Sequence, residues 1–211
     1  MANGGFIGIP NSPAFIYAKG VWRLDEQRQS AVSSTWPYIS AMDHIETITV
    51  GAGGAASVTF SNIPQTYRHL QIRYVARSQV STTDSNINLN FNSDTSANYA
   101  FHKLYANGST AGSVAVTAST TIQGSDIPGN TAGANTYGAG VTDVLDYTST
   151  SKYKTVRTLS GQDRNGGGYV SLKSGLWIST SAISSITLQT QDGVSGSLMQ
   201  YSTFSLYGIR G

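Results

Sequence analysis

From Ile45 onward, apolar residues recur at every second position of the chain. The runs at residues 70–76 and 86–92 show this alternation most clearly. A period of two is the repeat of a β-strand, because successive side chains of a strand point to opposite faces of its sheet. Turn signals such as Asn107-Gly108 separate the runs. About ten short strands at this spacing predict a mainly β protein, an antiparallel β-sandwich or jelly roll.

The composition argues against several other classes of protein. No helical segment alternates with the strands, so a parallel α/β fold is not expected. The absence of cysteine rules out disulfides and thiolate metal sites. The 13 basic and 11 acidic residues nearly balance, which argues against a nucleic-acid partner. No apolar run reaches the roughly 20 residues of a membrane helix, and no secretory signal pattern opens the chain, so neither membrane insertion nor ordinary secretion is expected.

The N-terminal part of the chain has a different pattern. Glycines and prolines interrupt residues 1–18, whose apolar content predicts an extended arm that lies on another surface. Residues 21–33 allow about three helical turns with one apolar and one polar face. Pro37 ends this pattern, because the residue before a proline disfavours the helical conformation. We therefore divide the chain into an N-terminal arm and docking helix, 1–42, and a β-sandwich domain, 43–211.

The short helix has two interpretations. It is either a packed helix of the β-domain or a device that docks the domain onto another protein, and the apolar arm beside it favours docking. The residues predicted to make that contact are apolar and aromatic side chains and one arginine: Phe15, Tyr17, Val21, Trp22, Leu24, Arg28 and Trp36.

The sequence carries no strong catalytic or cofactor motif. The glycine-rich segment 51–56 resembles a dinucleotide fingerprint, but the strand-like residues 57–60 follow it where a phosphate-binding helix is required. The three histidines lie on separate elements without a neighbour at ligand spacing. We predict no catalytic residue, no cofactor and no metal ion. A glycan hydrolase stays open as an alternative, because that chemistry needs only two carboxylates.

An asparagine at every second position from Asn86 to Asn92 forms a ladder on one face of a predicted strand. Amides bind sugar hydroxyls well, and aromatic rings next to turns can stack on sugar rings. The candidate glycan contacts are Asn88, Asn90, Asn92, Tyr99 and Tyr105. The alternatives are a neutral polar surface or a ladder buried against a symmetry mate.

Several segments resemble structural proteins of tailed bacteriophages. The N-terminal residues 20–27, which read GVWRLDEQ and close with Trp36-Pro37, are similar to a segment near the start of such proteins. Residues 58–67, reading VTFSNIPQTY, and residues 202–209, reading STFSLYGI, resemble the beginning and the final strand of a phage-encoded β-domain. Leu89-Asn-Phe91-Asn92-Ser-Asp94 fits a further strand of that domain.

The resemblance implies a virion component made in the host cytoplasm, of the tail-fibre or tail-tip type. Domains of this kind are jelly-roll-like and often trimeric, and the resemblance supplies no catalytic residues. The implied partners are other virion proteins, further copies of the chain as a homotrimer, and a host surface glycan. A capsid decoration or head-fibre protein and a carbohydrate-binding module are the alternatives.

Overall fold

The computed structural model describes Leu24, Asp25, Arg28 and residues 41–191 and 198–211. The chain divides into two units, Met1–Ser40 and Ala41–Gly211. The described residues contain twelve strands, all in the second unit. In chain order they are β1 Met42–Thr49, β2 Ser57–Phe60, β3 His69–Ala76, β4 Asp84–Phe91, β5 Tyr99–Ala106, β6 Ala111–Ser119, β7 Ile122–Pro128, β8 Gly138–Leu145, β9 Lys154–Asp163, β10 Gly168–Trp177, β11 Ile186–Thr190 and β12 Thr203–Ile209.

The strands form two antiparallel sheets. The large sheet has eight strands in the order β1-β12-β3-β8-β9-β10-β5-β6, and the small sheet has four in the order β2-β11-β4-β7. Their apolar inner faces share one core. The predicted antiparallel β-sandwich is therefore confirmed.

The strand order is that of a jelly roll with two inserted hairpins. Without the hairpins β5–β6 and β9–β10, the sheets read β1-β12-β3-β8 and β2-β11-β4-β7. This is the eight-stranded, two-sheet arrangement of two Greek keys. The hairpin β9–β10 adds to the edge of β8 and the hairpin β5–β6 adds to β10, so both widen only the large sheet.

The core lies between the jelly-roll strands and follows their alternation. Leu70 and Ile72 of β3, Leu89 of β4 and Leu206 of β12 are fully buried. Each alternates with polar or half-buried neighbours, as a strand with one face on the core requires.

An aromatic cluster ties the inserted hairpins to the small sheet. The Tyr99 ring of β5 stacks on the Trp177 ring of β10 with centroids 6.4 Å apart, and Phe91 of β4 lies 5.6 Å from Trp177. The Trp177 indole N–H donates to Asp94 Oδ2 at 2.8 Å. The Tyr99 hydroxyl accepts a bond from the Phe91 backbone N–H at 3.1 Å.

The N-terminal predictions fall mostly outside the described residues. Leu24, Asp25 and Arg28 have helical conformation, and their side chains are exposed. The other predicted docking residues, Phe15, Tyr17, Val21, Trp22 and Trp36, lie outside the part that the structure describes, as do the arm and the rest of the predicted helix. Docking through this segment stays a prediction. Among the described residues, no helix has the length and apolar character needed to cross a membrane.

Candidate functional site

The outer face of the large sheet carries a row of exposed apolar side chains. Val141 of β8 pairs with Leu159 of β9, which pairs with Leu172 of β10, which pairs with Leu104 of β5. Their exposed fractions are 36%, 59%, 48% and 59%. Because directly paired residues stand side by side on one face, these four form a continuous ridge across four strands. We call them the apolar ridge.

A lower row of small residues runs beside the apolar ridge. Two residues further along the strands, Ala139 of β8 pairs with Gly161 of β9, and this pair is flanked by Val75 and Val170. A Cβ atom added at Gly161 would meet no atom closer than the Tyr169 carbonyl oxygen at 3.8 Å, so the space above it is open. A depression of about 510 Å³ lies here. We call Ala139 and Gly161 the furrow.

Polar residues line the opposite side of the apolar ridge. Asp143, Arg157 and Ser174 are paired across β8, β9 and β10. The Arg157 guanidinium donates to Asp143 Oδ2 at 2.7 Å. The face therefore has an apolar centre and a polar rim, which is the composition of many protein–protein interfaces.

The same strands place polar side chains toward the interior. The Asp126 carboxylate of β7 accepts a bond from Lys103 Nζ at 2.5 Å and from the Ser171 hydroxyl at 2.6 Å. Lys173 Nζ lies 3.1 Å from the same carboxylate, and its side chain is 1% exposed. The Ser160 hydroxyl lies 2.9 Å from that of Ser171 and extends the network. Around Asp126 the inserted hairpins are therefore polar on the inside, while the apolar ridge lies on their outside; Tyr99, Val156 and Trp177 keep the other end of their inner face apolar.

Burial and charge shift the protonation of this buried cluster. Burial lowers the pKa of Lys173 to about 8, although the Asp126 charge acts in the opposite direction. Burial acts to raise the pKa of Asp126, but the charge of Lys173 and the hydrogen bonds from Lys103 and Ser171 lower it overall. Two lysines share one carboxylate, so with both lysines protonated the cluster carries one excess positive charge.

The structure buries the middle of the asparagine ladder, and glycan binding by these residues stays a prediction. Asn88 and Asn90 are only 9% and 6% exposed, because β4 lies between β11 and β7. The Asn90 amide donates to the backbone oxygens of Thr120 at 2.7 Å and Asp94 at 3.1 Å. The half-buried Asn92 accepts a bond from the Ser184 backbone N–H at 2.8 Å. The amides of Asn90 and Asn92 therefore hold loops to the strand.

The two candidate tyrosines lie in different environments. Tyr99 is fully buried in the aromatic cluster, so it cannot contact a glycan. Tyr105 is half-buried, with its ring centroid 6.0 Å from that of Tyr169 and Lys103 Nζ 4.8 Å from its own centroid. The structure thus brings Tyr105 together with Tyr169 but makes it part of an internal contact.

Five carboxylates of the described β-domain contact cations of this chain. Those with a basic partner within 4 Å are Asp43, Asp84, Asp126, Asp143 and Asp146. Hydrogen bonds from Lys152 and Arg68 lower the pKa of Asp146 to about 2. Hydrogen bonds from Trp177 and Asn98 lower the pKa of Asp94 to about 2. In the ranges 41–191 and 198–211, no group of three or more His, Asp or Glu residues is arranged to hold a metal ion.

Sequence reasoning did not single out the apolar ridge. A period of two marks alternate residues but does not say which set faces inward. The one signal in the sequence is the polarity of the intervening positions: Thr158, Ser160 and Ser171 alternate with Leu159 and Leu172. No family model, curated protein or solved structure matches the chain.

Proposed function

We propose that this chain is a non-enzymatic structural component of a bacteriophage virion, of the tail-fibre or tail-tip type. It docks through residues 1–42 and assembles through its β-domain. The observation that carries the proposal is the exposed apolar ridge on the large sheet. Contiguous exposed apolar surface on a folded domain marks a site of contact with another macromolecule.

The places of the phage-like segments in the fold support the proposal. The segment from Val58 to Tyr67 begins in β2, and the segment from Ser202 to Ile209 forms β12. Both strands belong to the jelly roll rather than to the inserted hairpins. The resemblance therefore concerns the jelly-roll strands. The inserted hairpins supply β9, β10 and β5, which carry three of the four residues of the apolar ridge.

The ionic pairs also support a structural role. Several carboxylates of the described β-domain are paired with cations and so are not free to serve as acid and base, as Asp143 is with Arg157 and Asp146 is with Arg68. A general acid needs a raised pKa, whereas those of Asp94, Asp126 and Asp146 are lowered.

The test is the location of the protein on particles and its dependence on the N-terminus. Antibody labelling of intact virions should mark the tail, and a variant lacking residues 1–40 should be missing from purified particles. Labelling of heads would favour the capsid decoration protein instead. Normal incorporation of the truncated protein would contradict docking through the N-terminus.

A further inference from the structure

We infer that the outer face of the large sheet, which carries the apolar ridge and the furrow, binds the same face of a second copy of this chain around a two-fold axis. The axis lies between the large sheets of the two copies and parallel to them. It runs perpendicular to the strands, midway between the apolar ridge and the furrow. This deepens the proposed assembly role by naming the partner of the face.

The rows of the sheet are arranged for such a pairing. Residues two positions apart on a strand stand roughly 7 Å apart on one face. A two-fold axis between the two rows places the ridge of each copy over the furrow of the other. On β9, Leu159 of one copy faces Gly161 of the other, and on β8, Val141 faces Ala139. Large side chains thus meet small ones on β8 and β9, as close packing requires, while on β10 Leu172 faces Val170.

The same rotation brings opposite charges together. On β9 the outward residues next to the ridge and next to the furrow are Arg157 and Asp163. With the axis in this position, Arg157 of one copy faces Asp163 of the other, and the symmetry produces the pair twice. Both side chains are exposed. Because Arg157 already contacts Asp143 in its own chain, the new contact extends an existing ionic pair.

The face is large enough for a stable interface. Strands are spaced by roughly 4.8 Å, so eight strands span about 38 Å, and outward rows over six or seven residues span about 20 Å. Their product is on the order of 800 Å² per copy for contact over the whole outer face, the standard contribution of one partner to a specific interface, and about half of that over the four strands of the apolar ridge. The two-fold arrangement gives a dimer, in place of the trimer that the sequence resemblance implies.

The experiment is sedimentation velocity of the full chain at micromolar concentration. We expect a dimer. Leu159→Lys places a charge on the ridge. Gly161→Leu fills the furrow that would receive Leu159 of the other copy, and its Cβ meets no atom of its own chain closer than 3.8 Å. Each should give a monomer with an unchanged circular dichroism spectrum. Thr59→Lys, at an exposed position of the small sheet, is the matched control and should stay dimeric.

A charge exchange tests the predicted register. Asp163→Arg alone should weaken the dimer at least tenfold, and the double variant Arg157→Asp with Asp163→Arg should recover part of that loss. A wild-type monomer, or a dimer or trimer that is unchanged by Leu159→Lys and Gly161→Leu, would overturn the inference. Such a result would not bear on the virion role, which particle labelling tests separately. Failure of the dimer and failure of the proposed function can therefore be distinguished.

Discussion

Leu159 and Ser160 are neighbours on β9, and the serine faces the interior: Ser160 is 4% exposed and Leu159 is 59% exposed. An isolated folded domain gains nothing from this inversion, because burial of a leucine side chain stabilises by about 1.5–3 kcal/mol. An outward leucine above an inward serine is favourable when a partner protein buries the leucine. The polar cluster beneath this part of β9 and β10 and the apolar ridge above it therefore result from the same orientation of the strands.

The first prediction separates the ridge from the core. Leu159→Ser should change the free energy of unfolding of the monomer by no more than about 0.5 kcal/mol, because the side chain is exposed. Leu206→Ala, in the core, should cost about 2–5 kcal/mol. Urea unfolding, at a protein concentration low enough to dissociate oligomers, measures the free energy of unfolding of both variants. Equal losses for the two variants would show that Leu159 is buried within its own chain.

The second prediction concerns the dependence of stability on pH. Lys173 has a pKa of about 8 in the folded protein against 10.5 when unperturbed. Between these values the unfolded chain binds more protons, so stability should rise as the pH increases from 8 toward 10. Tyr74, whose pKa burial raises to about 12, opposes this rise only above about pH 10. Urea unfolding of Lys173→Met should show a flatter profile over pH 8–10. An unchanged slope would contradict the assignment.

The third prediction concerns the carboxylate that the two lysines share. Asp126→Ala removes the partner of Lys103 and Lys173 and leaves two buried cations, which should cost about 3–5 kcal/mol. Glu46→Ala, at an exposed position of β1, is the control and should change stability by less than about 0.5 kcal/mol. Thermal unfolding at pH 7 compares the two. Similar melting temperatures would mean that the buried cluster contributes little.

The fourth prediction concerns acid unfolding. Hydrogen bonds from Trp177 and Asn98 lower the pKa of Asp94 to about 2, below the unperturbed 3.8. The resulting stabilisation is present above pH 4 and is lost as the pH falls toward 2. Asp94→Ala should remove this part of the acid dependence and alter the fluorescence of the Trp177 indole. A variant with the wild-type acid profile would refute this role for Asp94.

The fifth prediction concerns the asparagine ladder. Asn90→Ala should lower stability by about 1–3 kcal/mol, because the carbonyl oxygens of Thr120 and Asp94 lose the amide that donates to them. Any binding on a glycan array should be the same for this variant and for the wild type. Loss of glycan binding without loss of stability would restore the ladder as a binding surface.

The strands, the antiparallel class and the central core follow from the amino-acid sequence alone. Leu70, Ile72 and Leu89 are buried at the positions that the alternation predicts, because a period of two is a local property of the chain and β3 and β4 face a sheet on one side only. The polar turn signals likewise separate neighbouring strands without reference to anything distant.

The side of β9 and β10 that faces inward, and the place of the inserted hairpins, depend on contacts between distant parts of the chain. Alternation is symmetric between the two faces of a strand, so the choice depends on what packs against it. Here Asp126 on β7 attracts Lys103 and Lys173 inward and leaves Leu159 and Leu172 outside. The burial of Asn90 depends in the same way on β7 and β11, which reach β4 only when the sheets assemble.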